Sequence, residues 1–278
     1  DTNLIVIAPL LKYFFKSKII CHVRTRVNKK KLSKVILFIS KKYIDRFICI
    51  DKSTYSTSPY KKKSVIIYNI FNSQNLKKII SKNKKHLFYV GFLGSLDFHK
   101  GLDFYFECIS EINKSKNNFI FLIGGSLSVT NKFLSTILDL FNIKKNFTKV
   151  FINFKRKKYH NVKFLNNVTN LDKFYNNIDV ICFPSRMNAL GRPIIEAASH
   201  AVPSVVCLKE YFKDTIINNK TGYVLKFGDK KNFIKKLEYL NKDTKKLNEL
   251  GLNAKKNYHS KHNVINNTQR LLKIYKFI

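Results

Sequence analysis

Tryptophan is absent from this 278-residue chain, methionine occurs once, and acidic residues are scarce, with 17 Asp and Glu against 53 Lys and Arg. No apolar run approaches the ~20 residues that a membrane-spanning helix requires. The most apolar stretch near the start, Leu4 to Phe15, is broken by Pro9 and Lys12, so it reads neither as a span nor as a signal peptide. Cysteine is sparse too. Cys21, Cys49, Cys108, Cys182 and Cys207 are widely spaced and sit mostly inside apolar runs. An odd number without paired spacing argues against a disulfide framework or a zinc site, and points to a reduced, cytosolic setting. His86, His99, His160, His200, His259 and His262 stand at no metal-ligand spacing with carboxylates.

Among the residues that are present, Lys, Asn, Ile, Phe and Tyr dominate while Gly, Pro and Ala are few, the composition of a chain encoded by AT-rich DNA. The net charge of +36 and pI near 10 raise two partners, nucleic acid and an anionic membrane surface. The charge is spread along the whole chain, whereas nucleic-acid binders concentrate it on one face or arm, so nucleic acid is not expected. A hydrophobic content of 45% with regular apolar runs indicates a globular protein of one large or two smaller domains. The chain starts at Asp1 without a methionine, and truncation at the N-terminus is the expectation.

The apolar runs alternate with helical periodicity. Strands are predicted at Ile19–Val23, Phe47–Ile50 and Val65–Tyr68, with a basic, helix-compatible stretch from Asn28 to Lys42 between the first two. Asn72 to Lys85 is polar and Lys-rich, a connection into a second domain. There, strands are predicted at Leu87–Leu93, Asn118–Ile123, Val162–Leu165, Val180–Phe183, Pro203–Cys207 and Gly222–Leu225. Helices are predicted at Leu102–Ile112, Asn131–Leu140, Leu171–Asn176, Tyr211–Asn218 and along the end of the chain. Continuous apolar strands separated by helices imply a parallel sheet covered on both faces, with ligands beyond the carboxyl ends of the strands.

The most informative segment runs from Phe183 through Pro184, Ser185, Arg186, Met187, Asn188, Ala189, Leu190, Gly191, Arg192 and Pro193 to Glu196 and Ala197. A buried strand leads into a polar turn. Gly191 gives the turn freedom, and Pro193 suits the first turn of a helix that carries Glu196. Free N–H groups and the helix dipole favour phosphate oxygens, and a carboxylate accepts hydrogen bonds from paired hydroxyls such as those of a ribose. By spacing alone, an ordinary strand–helix connection with a surface glutamate fits equally well. The residue string resembles the donor-site motif of family 4 (group 1) glycosyltransferases, which read Pro-Ser, two variable residues, Glu-Gly-Phe-Gly-x-Pro, two apolar residues and Glu-Ala. Pro184, Ser185, Gly191, Pro193, Glu196 and Ala197 match in register, and Asn188 stands at the first of the two family glutamates.

A second segment, Phe92-Leu93-Gly94-Ser95-Leu96-Asp97-Phe98-His99-Lys100-Gly101-Leu102, resembles the family's Gly-Arg, four variable residues and Lys-Gly. Gly94, Lys100 and Gly101 match without a gap. Ser95 replaces the usual arginine, and Arg192 is the candidate to compensate in part. Weaker matches are Tyr68-Asn69, Gly124 and Thr221-Gly222, and the resemblance covers roughly residues 16 to 260. Asn167 follows the strand at which the family contacts the base, although Asn166 stands at the usual glycine. His22 and Arg24, at a strand end, are candidates for the acceptor side, with a satisfied structural histidine as the alternative.

The resemblance implies an α/β protein of GT-B type: a partial Rossmann-like acceptor domain at 1–72, a Rossmann-like donor domain at 73–260, and a C-terminal helix at 261–278 returning to the acceptor domain. It implies transfer of a sugar from a UDP- or GDP-linked donor, with retention, to a saccharide or polyprenyl-linked acceptor in cell-surface polysaccharide or lipopolysaccharide synthesis. Lys100, Glu196 and Asn188 would be catalytic, while Gly94, Ser95, Gly101, Asn167, Ala189, Leu190, Gly191 and Arg192 would bind the donor. No Asp-x-Asp motif occurs, in keeping with a metal-independent enzyme. The implied location is cytoplasmic or peripheral on the inner membrane face, with Lys29, Lys30, Lys31 and Lys34 toward anionic lipid. Two alternatives stand beside this reading: a basic nucleic-acid or membrane-binding protein with a degenerate sugar-nucleotide site, and a GT-B sugar-nucleotide epimerase or phosphorylase.

Overall fold

The computed structural model of the chain describes residues 2–27, 34–71, 87–127, 147–186 and 190–277. The expected helix at Asn131–Leu140, the connection at Asn72–Lys85, the lysines at 29–31, and Asn188 and Ala189 lie outside the described residues. The chain divides into two compact units. Unit one comprises Asp1–Asn72, Phe212–Thr215 and Tyr258–Ile278, and unit two Ser73–Tyr211 and Ile216–Asn257.

Unit one contains α1 (Ala8–Phe15), β1 (Ile20–Val23), α2 (Lys34–Tyr43), β2 (Arg46–Cys49), the short α3 (Lys52–Ser56) and β3 (Ser64–Ile66). The three strands form a parallel sheet in the order β1-β2-β3, pairing Cys21 with Phe47 and Ile48 with Val65. Pro9 opens α1 where its missing N–H costs nothing. Asp51 starts α3 through a capping box in which its carboxylate accepts from the Thr54 N–H. Val23, Ile44, Phe47 and Cys49 are buried at the centre. The C-terminal helix Val264–Phe277 also belongs to this unit.

The expected helix at Tyr211–Asn218 does not form. The segment is a run of bends and turns, and its middle residues, 212–215, belong to unit one. The reason lies in how its polar groups are used. The Asn218 N–H donates to the Tyr211 hydroxyl (2.9 Å) and the Ile217 N–H to Thr221 Oγ1 (2.8 Å), not to carbonyls one helical turn back. The buried Asp214 carboxylate accepts from the Tyr68 hydroxyl (2.7 Å) and the Lys52 N–H (2.8 Å).

Unit two is built on a six-stranded parallel sheet. Its elements in chain order are β4 (Phe88–Leu93), α4 (Leu102–Ile112), β5 (Phe119–Gly124), α5 (Phe147–Arg156), β6 (Val162–Leu165), α6 (Leu171–Asn176), β7 (Val180–Phe183), α7 (Arg192–Ser199), β8 (Ser204–Cys207), β9 (Gly222–Leu225) and α8 (Lys230–Lys242). All four residues of β7 and all four of β8 are buried, because alternate side chains enter two cores on opposite faces. Val180 and Cys182 pack with α4 and α8, while Ile181 and Phe183 pack with α6 and α7. On the first face Phe106 stacks on Phe154 at 4.0 Å between ring centroids, which seats α5 on α4.

The strand order is β6-β5-β4-β7-β8-β9. The chain winds outward from β4 through β5 to β6, then returns to the other side of β4 with β7 and winds the opposite way. The order therefore reverses between β4 and β7, and the crevice beyond their carboxyl ends is where a doubly wound sheet takes its ligand.

Candidate functional site

The two loops that follow β4 and β7 carry the two sequence motifs, and side-chain and backbone bonds hold them together. In the first loop Asp97 is the organiser. One carboxylate oxygen accepts from Ser95 Oγ (2.7 Å) and the other from the Lys100 N–H (2.9 Å), closing the turn that presents Lys100. Gly101 then begins α4 with φ +69°, and a Cβ there would lie 1.6 Å from the Pro184 carbonyl oxygen. Only glycine allows both that backbone conformation and that approach.

The second loop answers each of these contacts. The Arg186 N–H donates to the His99 carbonyl (3.1 Å), and Ser185 Oγ donates to the same oxygen (3.3 Å). The Arg186 guanidinium grips the Asp103 carboxylate with two bonds of 2.5 and 2.6 Å. It also donates to the Phe98 carbonyl (2.6 Å) and lies 4.5 Å from the Phe227 ring centroid. A bidentate pair of this kind fixes orientation as well as distance. The Lys100 ammonium rests 5.3 Å from the centroid of Phe183, the last residue of β7, so the lysine of the first motif lies against the strand of the second.

Helix α7 starts at Gly191, whose missing side chain leaves room for Phe183: a Cβ would stand 2.7 Å from that ring. Gly191 offers no side-chain cap, and Pro193 sits in the first turn. Pro193 has no N–H and the Ile194 N–H turns back to the Gly191 carbonyl (3.2 Å), so within the first turn it is the Arg192 N–H that lacks a side-chain acceptor from the cap residue, and the helix dipole favours an anion there. One turn on, Glu196 is only 4% exposed. Its Oε2 accepts from the buried Tyr175 hydroxyl of α6 (2.7 Å), and its Oε1 lies 3.2 Å from Arg192 Nε. Burial, then the charge of Glu196, push the Tyr175 pKa up, so the phenol stays protonated and donates. A second tie joins the same helices: His200 Nε2 lies 2.8 Å from Asp172 Oδ1, and the His200 ring tilts against Tyr175.

Gly94, Ser95, Lys100, Gly101, Leu190, Gly191, Arg192 and Glu196 thus all lie in unit two, on loops and helix starts flanking the reversal of strand order. Ser95 spends its hydroxyl on Asp97. Asn167 is exposed beyond β6, two strands from β4. His22 and Arg24 belong to unit one. His22 Nε2 lies 3.2 Å from the Tyr275 hydroxyl, and burial followed by the Arg24 charge lowers its pKa, while Arg24 is exposed. Sequence reasoning missed Tyr175, Asp97, and the Arg186–Asp103 pair. The four residues from Ser185 to Asn188 carried one signal, a basic residue inside the motif, but nothing identified its partner 83 positions away. Among the described residues no group of three His, Cys, Asp or Glu is placed to hold a metal ion, and no helix is long and apolar enough to cross a membrane.

Two parallel α/β units, one of them doubly wound around a lysine loop and a helix start with an early carboxylate, place the chain in the GT-B class of glycosyltransferase folds. The chain belongs to the glycosyl transferases group 1, whose family description matches residues 73–257. It is 26% identical over 174 residues to the capsular polysaccharide biosynthesis glycosyltransferase CapM of Staphylococcus aureus, a match covering 63% of this chain and 42% of that relative. Among solved structures it resembles HepE of Anabaena in complex with UDP-glucose, with TM-score 0.78 and 14% identity over 100% of this chain and 77% of HepE. It also resembles a point mutant of TarM of S. aureus, solved with fondaparinux, α-GlcNAc-glycerol and UDP, with TM-score 0.68 and 19% identity over 92% of this chain and 50% of TarM.

Proposed function

We propose that unit two binds a nucleoside diphosphate-sugar, and that the protein transfers this sugar, with retention and without a bound metal, to a saccharide or polyprenyl-linked acceptor in cell-surface polysaccharide synthesis. The observation that carries the reading is the stapling of the Lys100 loop to the Glu196 loop at the reversal of strand order, through Gly101 against Pro184 and Arg186 on His99 and Asp103. A departing diphosphate gains negative charge as the glycosidic bond breaks. Lys100 and the Arg192 N–H at the start of α7 are the donors for that charge, and donors held in place need no reorganisation at the moment of reaction. Glu196, a buried carboxylate one turn further along, accepts the two ribose hydroxyls. Asn188, at the family's first glutamate, meets a donor-sugar hydroxyl in this reading. HepE was solved with UDP and UDP-glucose, TarM with UDP and a glycosylated glycerol, and CapM is a capsular polysaccharide enzyme; these support the donor and acceptor classes.

The same reading puts unit one at the cytoplasmic face of an anionic membrane. In α1, Tyr13, Phe14 and Phe15 are 79%, 70% and 69% exposed, beside exposed Lys16 and Lys18. In α2, Val35 and Phe38 are exposed beside Lys34, Lys41 and Lys42. Aromatic side chains ringed by lysines suit the headgroup layer, where each lysine near the surface adds about 1 kcal/mol.

A thermal-shift panel tests the proposal. UDP or GDP, and the matching sugar nucleotide, should raise the melting temperature, and RNA should not. Stabilisation by RNA alone would move the chain to the class of basic binding proteins. Anionic vesicles should retain the protein in a salt-sensitive manner and neutral vesicles should not; equal retention by both would remove the membrane from the reading.

A further inference from the structure

Glu196 has two partners of different permanence. Tyr175 is fully buried and donates to Oε2 from a neighbouring helix packed into the same core. Arg192 approaches Oε1 with Nε at 3.2 Å, its own side chain 71% exposed and that of Glu196 5% exposed. The arginine pair is also electrostatically out of place. Arg192 is the first residue of α7, where the helix dipole disfavours a cation. The order cation then carboxylate across four residues is the weaker of the two orientations in a helix. With its cation in solvent and its carboxylate already held by Tyr175, this ion pair is readily traded. A stabilising role for the fold therefore gives no reason for a guanidinium at this position, whereas a phosphate at the helix start does.

We infer that Arg192 is an exchangeable cover on the ribose-binding carboxylate: it caps Glu196 Oε1 while the site is empty and passes to the diphosphate when a nucleotide binds. The inference rests on the reading of Glu196 as the diol acceptor. Its consequence is coupling between the two halves of the ligand. A diphosphate draws Arg192 away and uncovers Oε1 for the ribose. A nucleoside has no group to receive the guanidinium and must displace it without compensation. The site thereby discriminates against free nucleosides beyond the simple loss of phosphate contacts. Tyr175 keeps the carboxylate in place during the exchange because its bond uses the other oxygen.

The experiment compares binding of one nucleoside and its diphosphate, uridine with UDP or guanosine with GDP, whichever pair binds, by ligand-observed NMR titration. The proteins are wild type, Arg192→Ala, Arg192→Lys and Glu196→Gln. Arg192→Ala should bind the nucleoside about two- to fivefold more tightly, the range for losing an ion pair whose cation is exposed, and the diphosphate more weakly. Arg192→Lys should recover part of the diphosphate affinity. Nucleoside affinity that is unchanged or lower in Arg192→Ala overturns the exchange. The Glu196→Gln arm separates the two levels. If it weakens the nucleoside while Arg192→Ala fails to strengthen it, the exchange alone is wrong. If it leaves both ligands unaffected, Glu196 is not the diol acceptor and the underlying reading falls with it.

Discussion

The Tyr175 hydroxyl donates to Glu196 Oε2 at 2.7 Å, both side chains being buried between α6 and α7. In the proposed function Tyr175 is a positioning residue: it holds Oε2, while Oε1 lies 3.2 Å from Arg192 Nε. Tyr175→Phe keeps the ring and removes the donor. The expected result is a folded protein whose melting temperature falls modestly and whose affinity for a nucleoside diphosphate drops by about 1.5–3 kcal/mol, the scale of a hydrogen bond to a charged group. The drop should appear equally for the bare nucleoside, because the effect passes through the ribose. A loss confined to the diphosphate would assign Tyr175 to the phosphate side instead.

Lys100 lies against Phe183 with its ammonium 5.3 Å from the ring centroid, at the carboxyl end of β7. Lys100→Ala should weaken the nucleoside diphosphate far more than the nucleoside. One charge in a net +36 alters the general field little, so a selective loss reports a local contact. Equal losses for the two ligands, measured by calorimetric titration, would make Lys100 an ordinary surface lysine.

Gly101 has φ +69°, and a Cβ there would overlap the Pro184 carbonyl oxygen. Gly101→Ala forces a left-handed alanine and drives the two motif loops apart. A loss of at least about 2 kcal/mol in the stability of unit two is expected, larger than the intrinsic left-handed penalty alone. Nucleotide affinity should fall with it. A variant with unchanged melting temperature would mean that the loops are not held together at this point.

His262 gives unit one a pH dependence. Its Nδ1 lies 2.7 Å from the Asn69 carbonyl, Tyr258 stacks on the ring, Tyr68 meets it edge-on, and Nε2 is buried without a hydrogen-bond partner. Burial lowers the pKa below 6.5, and the Lys261 charge adds to this, while the Asn69 bond and Asp214 oppose it. A histidine whose folded pKa is depressed binds fewer protons folded than unfolded. Its contribution to stability is therefore intact above pH 6.5 and is lost as the pH falls from 6.5 toward the folded value, by at most about 1.4 kcal/mol per pH unit. Chemical denaturation of wild type and His262→Phe between pH 7.5 and 5 checks this: the variant should show the shallower decline with acid. Parallel declines would assign the acid sensitivity elsewhere.

Much of unit two is legible in the sequence because its strands are buried on both faces. Val180–Phe183, Leu102–Ile112 and Leu171–Asn176 have the expected bounds, set by a continuous apolar run or by clean helical spacing, and so has the edge strand Val162–Leu165, although Lys163 interrupts it and is exposed. Helix α5 escaped, since its stripe of Phe147, Val150, Phe151 and Phe154 is diluted by lysines. The expected helix at Tyr211–Asn218 failed for the opposite reason. Its local pattern was acceptable, but Asp214, Tyr211 and Thr221 commit its polar groups to side-chain bonds. Within the site, the motif residues were visible and their supports were not. Tyr175 and Glu196 are 21 positions apart and Asp103 and Arg186 are 83 apart, and only the order of strands in the sheet brings them together. Strand order is a non-local property that periodicity does not encode.

The measurement that bears most directly on the account is the coupling between Glu196 and the ribose hydroxyls. It compares UDP, or GDP if that binds instead, with its 2′,3′-dideoxy form, by calorimetric titration against wild type and Glu196→Ala, each shown to be folded by its melting transition. In wild type, removing the hydroxyls should weaken binding about tenfold or more, the scale of a charge-assisted hydrogen bond. In Glu196→Ala the same removal should change affinity little, because the acceptor is already gone. An equal dideoxy penalty in both proteins would contradict the account, since it would place the ribose hydroxyls on some other residue and leave Glu196 as a structural partner of Tyr175.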